Sequence, residues 1–255
     1  MPSNDSTYLQ ELINDFPCKR KTSIEKAELW LQERYRVFEL GEFIPTVFEI
    51  LNDPSRIRIT NDPSINPLFD LFNQGEIYPL FFYNLSKSIH KYLFSKILSN
   101  AGNFRSSSEI NSGFIGFGGP NRRALGNLKF HGSTPEKITL NLINAFCHLK
   151  KKSNDPLRDG LLFYRKFVRT HPFYDGNGRI GRLILKIYLR IFHLEIQWDK
   201  INNEKLMKKM NECHLREDKE KEYEKYFGFL YDFIKKAIAR VNEEDINDFR
   251  FPENY

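Results

Sequence analysis

Twelve consecutive residues gather the side-chain types that act on phosphates: His171-Pro172-Phe173-Tyr174-Asp175-Gly176-Asn177-Gly178-Arg179-Ile180-Gly181-Arg182. Gly176-Asn177-Gly178 lets the main chain approach a ligand closely, because glycine has no Cβ. The run lies where a helix is expected to begin, and free N–H groups at a helix start favour an anion. Arg179 and Arg182 are three positions apart, so both reach the same side of that helix. Asp175 is a hard oxygen donor suited to Mg²⁺. His171, with an intrinsic pKa near neutrality, suits a general base. Each residue also has a plainer reading. A histidine before proline is a loop residue, and an aspartate before glycine forms turns. Arg179, Arg182, Lys186 and Arg190 could form one solvated stripe, and Phe173 is read as a core anchor. Their concentration in one short run, in working order, favours the chemistry.

The same run imitates a dinucleotide fingerprint. Gly176, Gly178 and Gly181 match G-x-G-x-x-G, and Glu195 stands where an acidic ribose contact would be sought. That fingerprint needs a buried strand before it. The preceding segment has a helical period, so this reading is set aside.

The elements that must position the run are helical. Asp155-Pro156 starts one helix, in which Leu157, Leu161, Tyr164 and Val168 form a stripe. It should end near Thr170, because Pro172 pushes His171 out of the α region. A second helix is expected from about Gly176 to His193. Ser133-Thr134-Pro135-Glu136 signals a further helix start, with capping hydroxyls and an early proline. Pro79 to Leu98 also keeps a helical period. Ser106 to Gly132 changes character: its glycines favour a β-hairpin or ordered loop. Asn202 to Arg240 reads as helical, with its charges forming a solvated face. Toward the N-terminus, Ile24 to Leu40 reads as an amphipathic helix. Asn52 to Pro67 reads as a boundary, containing a short alternating stretch, Arg56 to Thr60.

The chain has 255 residues with 40% hydrophobic and 28% charged side chains, which excludes wholesale disorder and collagen. Its net charge of +6 favours anionic ligands without requiring nucleic acid, which is not expected as a partner. Cys18, Cys147 and Cys213 are few and scattered, so reduced thiols and a cytoplasmic location are expected. Cys213-His214 is read as a chance neighbour rather than half a metal site. The first residues lack a basic and apolar leader pattern, and no apolar run approaches bilayer length, so neither secretion nor a membrane partner is expected.

His171 to Arg182 resembles the H-P-F-x-[D/E]-G-N-G-R-x-x-R signature of the Fic (filamentation-induced-by-cAMP) family at every defined position. Leu85 to Arg105 resembles the helix and Gly-x-x-Arg turn that precede the family's flap. Asp155 to Thr170 resembles the helix leading into its motif. The resemblance covers about Pro79 to Ile234. It implies an all-α fold, a Fic-type helical bundle with a small β-hairpin flap and an N-terminal helical extension. The corresponding division is 1–75 as an N-terminal helical region, a candidate regulatory segment, 76–243 as the Fic domain and 244–255 as a C-terminal tail.

The resemblance also implies an activity: protein adenylyltransferase, moving AMP from Mg·ATP to a hydroxyl of a target protein or of the chain itself. His171 would be the base and Asp175 the Mg²⁺ ligand. Gly176, Asn177 and Gly178 would form an anion hole, and Arg179 and Arg182 would clamp the outer phosphates. The target would dock on a flap at 112–130. Alternatives within the fold transfer UMP, GMP or phosphocholine, or remove AMP; outside catalysis stands a nucleotide-binding regulator. Many members carry an inhibitory [S/T]-x-x-x-E-[G/N] helix. Here Glu25 has Lys21 and Lys26 at the defining positions, and Glu11 is followed by Leu12. Either glutamate departs from the pattern, which leaves three readings open: no autoinhibition, control by a separate inhibitory protein, or a degenerate inhibitory helix.

Overall fold

A computed structural model of the chain describes residues 79–95, 98–108, 115–117, 130–150 and 152–241. The segments expected around Glu11, Glu25, Arg56 to Thr60, the Asn52 to Pro67 boundary and the 244–255 tail lie outside the described residues. In chain order the elements are α1 (Pro79–Phe94), β1 (Gly116–Phe117), β2 (Phe130–His131), α2 (Pro135–Phe146), α3 (Pro156–Thr170), α4 (Asn177–Arg190) and β3 (Leu194–Ile196). A 3₁₀ turn (Trp198–Lys200), α5 (Asn203–His214), α6 (Glu220–Lys235) and β4 (Ile238–Arg240) follow. The fold is mostly helical, as the patterning requires.

Helices α3 and α4 form the centre. The stripe Leu157, Leu161, Tyr164 and Val168 is buried, and so are Phe163 and Phe167 on an adjoining face. Every α4 residue from Leu183 to Arg190 is buried. Two glycines let the pair approach. A Cβ on Gly160 would stand 2.5 Å from a Leu185 methyl, and one on Gly181 2.9 Å from the Tyr164 ring. Helices α1 and α2 flank this pair, and α5 and α6 close the far side. The motif loop therefore joins the two central helices of the described residues.

Helix starts follow the sequence signals, with one exception. Asp155 caps α3, its carboxylate accepting from the Arg158 amide at 2.9 Å. Proline takes an early position in both α2 and α3. Thr134 is the cap residue of α2 but forms no side-chain cap bond. The neighbouring Ser133 hydroxyl instead accepts from the Asn141 side chain at 2.7 Å.

Three expectations need correction. α4 ends at Arg190, not His193, and β3 follows it. The stretch Asn202 to Arg240 is two helices and a strand rather than helix throughout. β4 pairs antiparallel with β3, placing Leu194 opposite Arg240. Lys186 and Arg190 are not a solvated stripe, since both are buried. Both reach Glu195 in β3: Lys186 Nζ lies 3.0 Å from one carboxylate oxygen, and Arg190 contacts the other. The acid that imitated a ribose contact is thus the partner of two helix cations.

Candidate functional site

The loop from His171 to Gly176 joins α3 to α4. His171 ends α3 in the left-handed region, at φ 51° and ψ 58°. Proline at 172 excludes the α region as expected, but the chain leaves it for αL rather than for an extended conformation. This costs a non-glycine residue about 1–2 kcal/mol. Arg105 holds the turn in place. Its Nε donates to the His171 carbonyl at 2.8 Å, and one terminal nitrogen donates to the Ser133 carbonyl at 2.7 Å. The Arg105 amide donates to the Pro172 carbonyl at 2.9 Å. Arg105 is itself only 3% exposed, so these are desolvated, charge-assisted bonds. Gly132 follows the flap strand β2 and lies against the same turn; a Cβ there would stand 3.0 Å from that of His171.

The middle of the loop is locked from within. Asn177 Oδ1 accepts from the Phe173 amide at 2.9 Å, and its Nδ2 donates to the Phe173 carbonyl at 2.8 Å. That closes a ring around Phe173, which is fully buried as the anchor the sequence suggested. The Asn177 side chain is therefore committed to the loop, and only its main chain is left to face an anion. Gly176 sits at φ 74° with Phe94 against it; a Cβ would stand 2.5 Å from that ring. Both facts require glycine at this position.

Helix α4 begins at Asn177 with no side-chain cap. Its first amides are of the kind that lack intrahelical partners, and they coincide with the positive end of the dipole. Asp175 and Gly178 flank this start, both partly exposed. Arg179 and Arg182 project from the first turns, and the Arg182 guanidinium lies 5.6 Å from the Trp198 ring centre. Among the described residues no group of three His, Cys, Asp or Glu side chains could hold a metal alone. A single half-buried carboxylate beside an uncapped helix start does fit Mg²⁺, which is commonly held by one or two carboxylates together with substrate phosphates.

Sequence reasoning thus placed His171, Asp175, Gly176, Asn177, Gly178, Arg179 and Arg182 on one loop and the helix it opens. It gave no role to Trp198 or to His90 of α1, and saw Arg105 only as part of a turn. His90 is 1% exposed and stacks on Phe173, with ring centres 3.9 Å apart and planes 5° from parallel. Burial lowers its pKa to about 3. Of the expected flap at 112–130, the described residues form the strand pair β1–β2, Gly116 opposite His131 and Phe117 opposite Phe130. Beside the loop, not in it, a polar cleft of about 420 Å³ opens between β2, α2 and α3, lined by Ser133, Asn141, Lys166, Arg169 and Glu217 among others.

Residues 82–189 match the model of the Fic/DOC family. That match, over less than half of the chain, marks the segment as a Fic/DOC domain. No curated protein matches it. Three Fic structures are similar to it. The first, from the N-terminal Fic domain of a Bep effector protein of Bartonella sp. AR 15-3, is 16% identical, covers 66% of this chain and 77% of its own, and has a TM-score of 0.49. A Fic family protein from Desulfovibrio desulfuricans G20 is 18% identical, covers 93% and 75%, and has a TM-score of 0.44. The N-terminal Fic domain of a Bartonella quintana protein, solved with bound ADP, is 16% identical, covers 62% and 73%, and has a TM-score of 0.44. Among the described residues, no helix is long and apolar enough to cross a membrane.

Proposed function

We propose that this Fic domain transfers AMP from ATP to a hydroxyl side chain of a protein. The observation that carries the reading is the coincidence, at one rigid loop, of a base, a carboxylate, an uncapped helix start and two arginines. His171 lies at the α3 end of the loop, and Asp175 and the α4 amides at the α4 end. A pure nucleotide binder needs the second group and has no use for the first.

The acceptor O–H would attack the α-phosphorus and lose its proton to His171. The bond from that phosphorus to the β-phosphate oxygen breaks, and pyrophosphate leaves. Asp175 would hold Mg²⁺, which when bound neutralises phosphate charge. The main-chain amides of Gly176, Asn177 and Gly178 would receive phosphate oxygens, and Arg179 and Arg182 would balance charge on the leaving group. Such transfers depend on positioning and charge neutralisation more than on covalent help from the protein. The strand pair β1–β2 is the edge on which a target segment would lie.

Intact-mass measurement after incubation with Mg²⁺ and each of the four nucleoside triphosphates, with candidate targets present, tests this. A gain equal to one AMP, with ATP alone, supports it. A gain with another nucleotide moves the reading to that donor. No gain on any protein, despite tight nucleotide binding, replaces the enzyme with a regulator.

A further inference from the structure

Among the described residues, His90 is a buried titratable side chain that packs on the motif loop and that the transfer chemistry does not use. Its surroundings are specific. Nδ1 accepts the Gly102 amide at 2.8 Å, at the start of the turn that delivers Arg105. That bond places the ring proton of the neutral form on Nε2. One face carries Phe173, and Phe94 stacks against the ring at 4.8 Å. Nε2 is buried and faces the main chain of Asp175, without reaching the geometry of a formed hydrogen bond. Phe94 also packs against Gly176. A single imidazole therefore bonds the Gly102–Arg105 turn with one nitrogen, stacks on the loop anchor with its face and turns its other nitrogen toward the carboxylate-bearing residue.

We propose that His90 is the positioning residue for Asp175: its Nε2–H closes onto the Asp175 carbonyl when the loop takes up a Mg²⁺–nucleotide, and so fixes the direction of the Asp175 carboxylate. Hydrogen bonds around a site are commonly loose without ligand and tighten in the complex. A buried donor without a formed bond has a free-energy reason to complete one. The second contact, at Gly102, is fully made already, so the ring cannot turn to satisfy Nε2 elsewhere. The Gly102 turn and Arg105 hold the His171 end of the loop. His90 thereby ties the base and the metal-binding carboxylate to one rigid support on α1.

This rests on the nucleotide reading above, and the test keeps the two apart. Binding of a non-hydrolysable ATP analogue is measured by calorimetry with and without Mg²⁺, alongside the thermal unfolding midpoint, for the full chain and three variants. His90→Phe keeps the stacking and loses both polar contacts. His90→Asn keeps an acceptor for Gly102 and loses the reach to Asp175. His90→Gln places an amide N–H near Nε2 and so keeps the contact with Asp175. Outer-shell partners of metal ligands typically cost about 10–100-fold in metal affinity when removed. The expected result is a loss of about tenfold or more in apparent Mg²⁺ affinity for Phe and Asn, Mg-free analogue binding within about threefold, and recovery of most of the loss in Gln. Either Phe or Asn suffices if the other fails to fold. Wild-type Mg²⁺ dependence in a folded Phe or Asn variant overturns the inference while the nucleotide reading stands. So does a Gln variant no better than Asn. A wild-type chain whose analogue binding gains nothing from Mg²⁺ overturns both.

Discussion

At the scale of single residues, the arrangement around His171 shows what holds a strained position. A non-glycine residue in the left-handed region persists only where its surroundings determine it. Here the Arg105 guanidinium, the packed Gly132 and the locked Phe173–Asn177 ring do so from three sides. The imidazole is thereby presented at a fixed place rather than on a mobile tether. Replacing His171 by Ala should lower AMP transfer by about 10²–10⁴, the usual cost of losing a general base, while nucleotide affinity stays within a few fold. Transfer assays beside calorimetric titration separate these effects, and full activity in the variant would remove His171 from the reaction. Asp175→Ala should instead raise the Mg²⁺ concentration needed for half-maximal activity; an unchanged metal titration would make it a turn residue only. The motif residues were legible because they adjoin in sequence. Arg105 was not, since the carbonyl it holds lies 66 positions away and no spacing rule reports such a pairing. His90 was hidden for the same reason, its partners being a turn and a loop on two other segments.

At the scale of elements, the crossing of α3 and α4 decides how firmly the loop is held. Gly160 and Gly181 each sit where a Cβ would meet a side chain within 3 Å. Either glycine replaced by alanine should destabilise the fold by about 1–3 kcal/mol through overpacking, visible as a lower denaturant midpoint at unchanged slope. A variant as stable as wild type would show that the helices slide apart without cost. The third glycine of the apparent dinucleotide fingerprint thus serves helix-on-helix contact. Helix identity was readable from stripes and caps such as Asp155. The small β3–β4 sheet was not. Each strand has three residues, too few for a period of two to stand out, and their partners are far apart in the chain. Missing that sheet also misplaced Lys186 and Arg190. Their burial depends on Glu195, and only the strand brings that acid to them.

At the scale of the whole molecule, buried histidines set the response to acid. His214 is 6% exposed beside Arg165 and Arg169, and burial first, then those cations, lower its pKa to about 3. In the unfolded chain a histidine titrates near 6.5. Between these values the unfolded chain holds a proton that the folded one lacks, so stability declines as pH falls below about 6.5, by up to about 1.4 kcal/mol per pH unit for each such group. His90 and His148 shift in the same direction, to about 3 and about 4. Urea unfolding at about pH 7 and about pH 5 should show the decline, and His214→Phe should reduce its steepness without abolishing it. Equal steepness in the variant would assign the effect to other groups. The β3–β4 pair has a consequence of a different kind. The Val241 amide bonds to the His193 carbonyl and the Gln197 amide to the Ala237 carbonyl, at 2.9 and 2.8 Å, on either side of the three-residue pairing. A short clasp of this sort latches both ends of the 194–241 segment, including Trp198 beneath Arg182. In hydrogen exchange, the amides of that clasp should become labelled together, with one common opening free energy, rather than fraying from the 241 end. Deleting the chain after Lys236 should then unprotect Glu195 and Gln197 as well, although both lie far upstream of the cut, and would loosen the wall on which Arg182 rests.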